Sequence, residues 1–245
     1  MSVTPHADPP RHPLLDPNWV TSMGGPLVVL PVSALRDWAG CTESGMVIGD
    51  TDTPDDSDRA CAVEDFAAVI DVGTGDAQAL VLGDEPAKTC FLPDRNIFIR
   101  WLAADSYAEL LPAAETLLAD PATPWKHGAV WETDGESVLM DSAEAGDDLG
   151  QPYPHNMQLP EQAPADVPAG RWRIRAFHKT GEFPWVGVVQ LIPEQTPGAA
   201  TLTENTTLAS LGPWTVSYVV RRFSARCGSA PLVGDYRSRV GSSRS

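Results

Sequence analysis

Between residues 19 and 194 the apolar positions fall in short runs separated by glycine, proline and acidic residues, a rhythm that predicts short strands rather than long helices. LVVL (27–30), closed by Pro26 and Pro31, reads as a buried strand. SALRDWAG (33–40) predicts one short helix, with Ser33 as its N-cap and Gly40 as its stop. FAAVIDV (66–72) and AQALVLG (77–83) flank Gly73-Thr74-Gly75-Asp76 and predict a β-hairpin, and NIFIRWL (96–102) predicts a further strand.

A helical period occurs over 106–120, where Leu110, Leu111, Ala114, Leu117 and Leu118 form one apolar face and Ser106 and Glu109 have capping-box spacing. Pro112 lies inside that run, so the helix is kinked there or starts afresh with proline in its first turn. The second half then repeats the first in outline. DGESVLMDSAEAGDDL (134–149) mirrors the glycine, strand and short helix of 24–40, and the 170–193 stretch mirrors the first hairpin, with a turn around Gly181. The proline-rich 153–170 connection takes the place of the acidic stretch 50–58. The expected fold class is therefore α+β, mainly short antiparallel strands and hairpins with a few helices, in two pseudo-repeated halves packed as one body.

Charge refines the domain limits. Lys and Arg number 17 against 33 Asp and Glu, for a net charge of −16. Residues 201–245 carry six arginines against Glu204 and Asp235, so the first 200 residues bear the acidity. The Arg/Ser/Gly-rich end has no sustained apolar period, and 195–245 is expected to be a disordered tail, 1–17 a flexible start, and 18–194 the folded domain. So acidic a surface argues against nucleic acid, where Lys and Arg must neutralise phosphates, and suits a basic protein partner. No apolar run approaches the roughly 20 residues that cross a bilayer, and the N-terminus lacks a charged-then-apolar leader pattern, so no membrane association and a cytoplasmic location are expected.

Local motifs for chemistry are absent. Gly24 and Gly25 precede a strand instead of opening a helix, and Pro26 removes an N–H donor, so the pair reads as a tight corner and not a phosphate loop. The acidic run DTDTPDDSD (50–58) fails as a calcium loop of the EF-hand type: counted from Asp50, the places for the glycine and the glutamate hold Asp55 and Cys61. It reads as a solvated acidic loop or a partner-facing patch. Cys41, Cys61, Cys90 and Cys227 lack metal-ligand spacing and are expected to be buried free thiols. The five histidines show no metal-binding or catalytic spacing. No cofactor is expected. The eight tryptophans are expected mostly in the core, any exposed ones serving as interface anchors.

These segments, in order, carry a resemblance. WVTSMGGPLVVLP, DWAGC, SDRACAVEDFAAVIDVG, ALVLGDEPAKTCFLP and FIRWLAADS, followed by VLMDSAEAGDDL, AGRWRIRA and WVGVVQLIP, resemble the immunity protein 21 family over about residues 18–193. The family hallmark of a Trp, a Gly-Gly-Pro and a downstream Pro corresponds to Trp19, Gly24, Gly25, Pro26 and Pro31. The resemblance implies a protein that binds and neutralises a cognate toxin domain of a bacterial polymorphic-toxin system, without catalysis. Joined to the local carboxylate excess, it nominates Asp50, Asp52, Asp55, Asp56, Asp58, Glu64, Asp65, Asp84 and Glu85 as partner-binding residues facing a basic toxin. A regulatory or scaffold protein of the same fold, and an enzyme with a non-local active site, are the other classes.

Overall fold

The computed structural model describes residues 17–42, 54–83 and 85–194, which lie within one compact unit, Met1–Pro197. The expectations for the N-terminal segment and for the 195–245 tail fall outside the described residues.

The apolar runs become strands because each has a sheet face to bury. The chain lays down β1 (Trp19–Val20), β2 (Leu27–Pro31), a 3₁₀ turn (Val32–Asp37), α1 (Asp56–Cys61), β3 (Ala68–Asp71), β4 (Gln78–Leu82), β5 (Lys88–Leu92) and β6 (Ile97–Ala103). Then come α2 (Tyr107–Ala119), β7 (Lys126–Thr133), β8 (Ser137–Asp141), a second 3₁₀ turn (Gly146–Asp148), β9 (Gln162–Ala165), β10 (Gly170–Lys179) and β11 (Trp185–Pro193). Two antiparallel sheets result. One has the order β1-β5-β6-β11-β10-β7 and the other β3-β4-β2-β8-β9.

Side-chain alternation along β2 shows the layering. Leu27 and Val29 point into a core shared by both sheets, with Leu80, Leu82 and Leu139 from one and Phe98, Trp131, Ile174 and Val189 from the other. Val28 and Leu30 point the opposite way, into a cluster with Trp38, Ala60 of α1, Val72 and Leu149. The outer face of the six-stranded sheet presents Ile97, Ile99, Val186 and Val188 to Leu110 and Ala114 of α2. β2 is thus buried on both faces, which is why it reads as a continuous apolar run. Leu→Ala at such a position typically costs about 2–5 kcal/mol.

Several expectations change in detail. One helix runs through Pro112 from Tyr107 to Ala119, neither restarting nor ending there. Ser106 makes no capping bond, and Glu109 instead accepts the Asp105 amide at 3.1 Å. The 33–40 segment forms a 3₁₀ turn after Pro31, without a Ser33 cap. The repeat of strand plus short turn holds locally: β2 and β8 lie side by side, each followed by a 3₁₀ turn. Beyond that the halves part. The β3–β4 hairpin joins β2 in the five-stranded sheet, whereas β10–β11 lies between β6 and β7 in the other. The 153–170 connection contributes β9, whose Pro164 is tolerated because the strand is at a sheet edge.

Three of the tryptophans, Trp38, Trp131 and Trp172, are buried, and Trp185 is exposed. Cys90 is buried, but Cys41 and Cys61 are exposed, against the expectation of buried thiols. Cys61 ends α1 and Cys41 follows the Gly40 turn, places where the chain leaves the core.

Candidate functional site: the acidic face and its glycine corner

The Gly24-Gly25 stretch is tied down by its own neighbours. The Gly24 amide donates to Ser22 Oγ at 3.0 Å, the Ser22 hydroxyl donates to the Gly25 carbonyl, and the Met23 amide donates to Asp141 Oδ2 at 2.6 Å. Gly24 has φ +136°, a conformation that side-chain-bearing residues rarely adopt. Asp141 is buried at the end of β8, and its other oxygen accepts the Ala143 amide at 2.9 Å. Pro26 accepts the Ser142 amide through its carbonyl at 3.1 Å. The corner therefore locks β2 to the end of β8, with the Gly24 amide already engaged.

The acidic stretch is a loop only in part. Asp50 and Asp52 lie outside the described residues, and from Asp56 the chain is helical. Asp55 Oδ1 accepts the Asp58 amide at 2.8 Å, and Asp58 Oδ2 accepts the Asp55 amide at 3.3 Å, a reciprocal capping box. Asp55 Oδ2 also accepts from the Thr42 amide at 2.8 Å. Burial pushes the Asp55 carboxyl up, but the bonds it accepts from Thr42 and from the Asp58 and Ser57 amides outweigh this, and its pKa ends below the ordinary value. Asp56 pairs with Arg59 and accepts the Ala39 amide at 2.6 Å, while Arg59 donates to the Asp71 carbonyl at 2.8 Å. Asp55, Asp56 and Asp58 thus hold α1 together and fasten it to the 39–42 segment and to β3.

The remaining nominated residues have freer carboxylates. Glu64 and Asp65 are exposed on the segment after α1, and Asp65 Oδ1 lies 3.3 Å from Lys126 Nζ in an exposed pair. The Asp65 carbonyl packs against Gly83, where a Cβ would lie 2.4 Å away, so 64–65 and Glu85 belong to one neighbourhood. The exposed Glu85 offers its carbonyl to the buried Arg100 guanidinium, which also donates to the Gly83 carbonyl. Asp84 lies outside the described residues.

Among the described residues, no group of three His, Cys, Asp or Glu side chains is placed to hold a metal ion. The buried His178 is occupied by packing: its ring stacks on Phe66 at 4.1 Å and its Nε2 lies 3.1 Å from Arg100 Nη1. An open groove of about 410 Å³ runs along Pro31, Ser33, Asp76, Glu132, Asp134 and Arg171, where the one cation already pairs with Glu132. No helix among the described residues is long and apolar enough to cross a membrane.

The described residues thus form a two-sheet α+β body in which Asp55, Asp56 and Asp58 are engaged in local hydrogen bonds while Glu64, Asp65 and Glu85 stand exposed. The sequence profile of Immunity protein 21 matches residues 18–182, and the chain belongs to that family. No curated protein and no solved structure matches the chain significantly.

Sequence reasoning passed over Met23, Tyr153 and Met157. Met23 and Met157 are exposed and Tyr153 lies half-buried beside them, Tyr153 Oη 3.8 Å from Met23 Sδ. The available signal was an apolar residue directly before a glycine corner and another within the polar run HNMQ.

Proposed function

We propose that this protein binds a cognate toxin domain of a bacterial polymorphic-toxin system and neutralises it stoichiometrically, in the cytoplasm and without catalysis. Membership of the Immunity protein 21 family carries this reading. The net charge of −16 supports a basic toxin surface as the partner, since complementary fields speed encounter and reject wrong partners. In this reading Glu64, Asp65 and Glu85, with Asp50, Asp52 and Asp84, supply the attracting charge. Asp55, Asp56 and Asp58 add to the same field while holding α1 in place.

Co-expression with the toxin encoded beside the gene tests the reading. Growth is restored only when the protein is present, and titration of toxin activity ends at a one-to-one ratio with a stable complex. Neutralisation at far below equimolar protein would point to turnover and overturn it, as would the absence of any complex.

A further inference from the structure

Among the described residues, three of the most exposed large apolar side chains lie on two segments that hydrogen bonds bring together. Met23 is 71% exposed, Met157 72% and Leu159 54%. Tyr153 joins them: its hydroxyl reaches Met23 Sδ at 3.8 Å, its carbonyl accepts the Met157 amide at 2.9 Å and its amide donates to the Gln158 carbonyl at 2.8 Å. The Thr21 amide donates to Glu161 at 2.7 Å, which brings the chain around Leu159 alongside the segment that carries Met23.

The backbone that carries the exposed Met157 is constrained. Met157 has φ +60°, a left-handed conformation that a non-glycine residue adopts only when its surroundings enforce it. Those surroundings are the bonds to Tyr153, and Asn156 bonded twice to Gln158 at 3.0 Å. Carboxylates frame the apolar residues. The Tyr153 hydroxyl donates to Glu144, and its pKa is raised by burial first, then by Glu144, Asp141 and Glu161, so the tyrosine lies in a negative field.

On the reading that this protein binds a toxin, we propose that Met23, Tyr153, Met157 and Leu159, framed by Glu144 and Glu161, form the anchoring surface for a basic toxin domain. Lys and Arg side chains combine an apolar stem with a cationic head. Methionine thioethers and the tyrosine ring take the stems, and the carboxylates at the rim take the heads. A second copy of this chain is the wrong occupant, because it would bring an equally acidic rim, with its own Glu144 and Glu161, against this one and offer no cation to either.

The test is the dissociation rate of the purified toxin domain encoded beside the gene, measured against wild type, Met23→Ala/Met157→Ala, and Phe183→Ala/Trp185→Ala as an exposed apolar control elsewhere. The methionine pair is expected to dissociate tenfold faster or more at an unchanged melting temperature, and the control pair at the wild-type rate. Equal rates for wild type and the methionine pair, or a loss confined to the control pair, overturn this surface and leave toxin binding intact. Failure of the wild type itself to bind overturns the parent reading and this one with it. Sedimentation of the wild type as a dimer that the methionine pair dissolves would make the surface a self-interface and overturn the proposal.

Discussion

Arg100 and His178 meet across Gly187 inside the six-stranded sheet, Nη1 3.1 Å from Nε2. Arg100 pairs with Gly187 on β11, and Gly187 pairs in turn with His178 on β10. The missing side chain is what lets the two reach each other: a Cβ on Gly187 would lie 2.8 Å from His178 Cδ2 and 3.0 Å from Arg100 Cβ. Since guanidinium only donates, His178 Nε2 accepts, and the ring carries its proton on Nδ1.

Gly187→Ala is expected to destabilise the fold by about 1–3 kcal/mol, as overpacking does. Adding His178→Ala should recover part of the loss, because the clash partner is gone, and a double-mutant cycle by chemical denaturation reads the coupling. Additive losses would show that the clash with His178 is not the cause. Arg100→Lys should also be costly, because one ammonium cannot reproduce the fork that serves the Gly83 and Glu85 carbonyls.

Asp55→Ala removes the N-cap of α1 and the acceptor for Thr42, and is expected to cost about 1 kcal/mol, lowering the melting temperature by about 2–4 °C. Asp55→Asn should cost less, since asparagine also caps. The folded pKa of Asp55 lies below the ordinary value near 3.9, so its stabilisation is complete above that pH and is lost as pH falls through the folded value. The stability gap between wild type and Asp55→Asn should therefore shrink on acidification below about pH 4. A gap that widens there would refute the capping role.

Legibility in the sequence followed burial. β2, the β3–β4 hairpin, β6 and α2 were readable because their faces meet the core in a regular period. β7 was not, since Lys126, His127, Gly128 and Ala129 are exposed at a sheet edge and only Trp131 and Thr133 at its far end are buried. α1 was hidden because DSDRAC has one buried side chain, Ala60, and is held by carboxylate caps that look like loop acidity. The exposed apolar anchors were invisible for a related reason: periodicity marks what is buried, and Met23 and Met157 stand out only once the fold leaves them uncovered.

The thiols should separate cleanly under alkylation. Burial pushes Cys90 up to about 12, although the Ile99 amide and Lys88 act the other way. Exposed as they are, Cys41 is raised by partial desolvation and then by the charges of Asp55 and Asp58, and Cys61 by partial desolvation, opposed by a hydrogen bond with Ser57 and reinforced by Asp58 and Asp141. A raised pKa lowers the thiolate fraction at a given pH. Iodoacetamide on the native protein, followed by peptide mass mapping, should modify Cys41 and Cys61 slowly and faster with rising pH. Cys90 should react only after unfolding, and its modification in the native state at neutral pH would contradict the buried position.

Electrostatic attraction and apolar anchoring should act on different rate constants. Glu64, Asp65 and Glu85 are exposed, and no hydrogen bond to their carboxylates holds α1. Exposed charges of this kind contribute little to stability, so Glu64→Gln/Asp65→Asn/Glu85→Gln should fold as wild type. Its association with the cognate toxin domain should slow by up to about tenfold at low salt, with little change in dissociation. The difference should fade as ionic strength rises, because the screening length is about 8 Å at 0.15 M salt. Asp55, Asp56 and Asp58 stay untouched in this variant, since neutralising them would loosen α1 and confuse a charge effect with a folding one. An association rate unchanged in the variant and flat in the wild type from low to high salt would remove these carboxylates from the encounter. The binding reading would then rest on the apolar anchors alone.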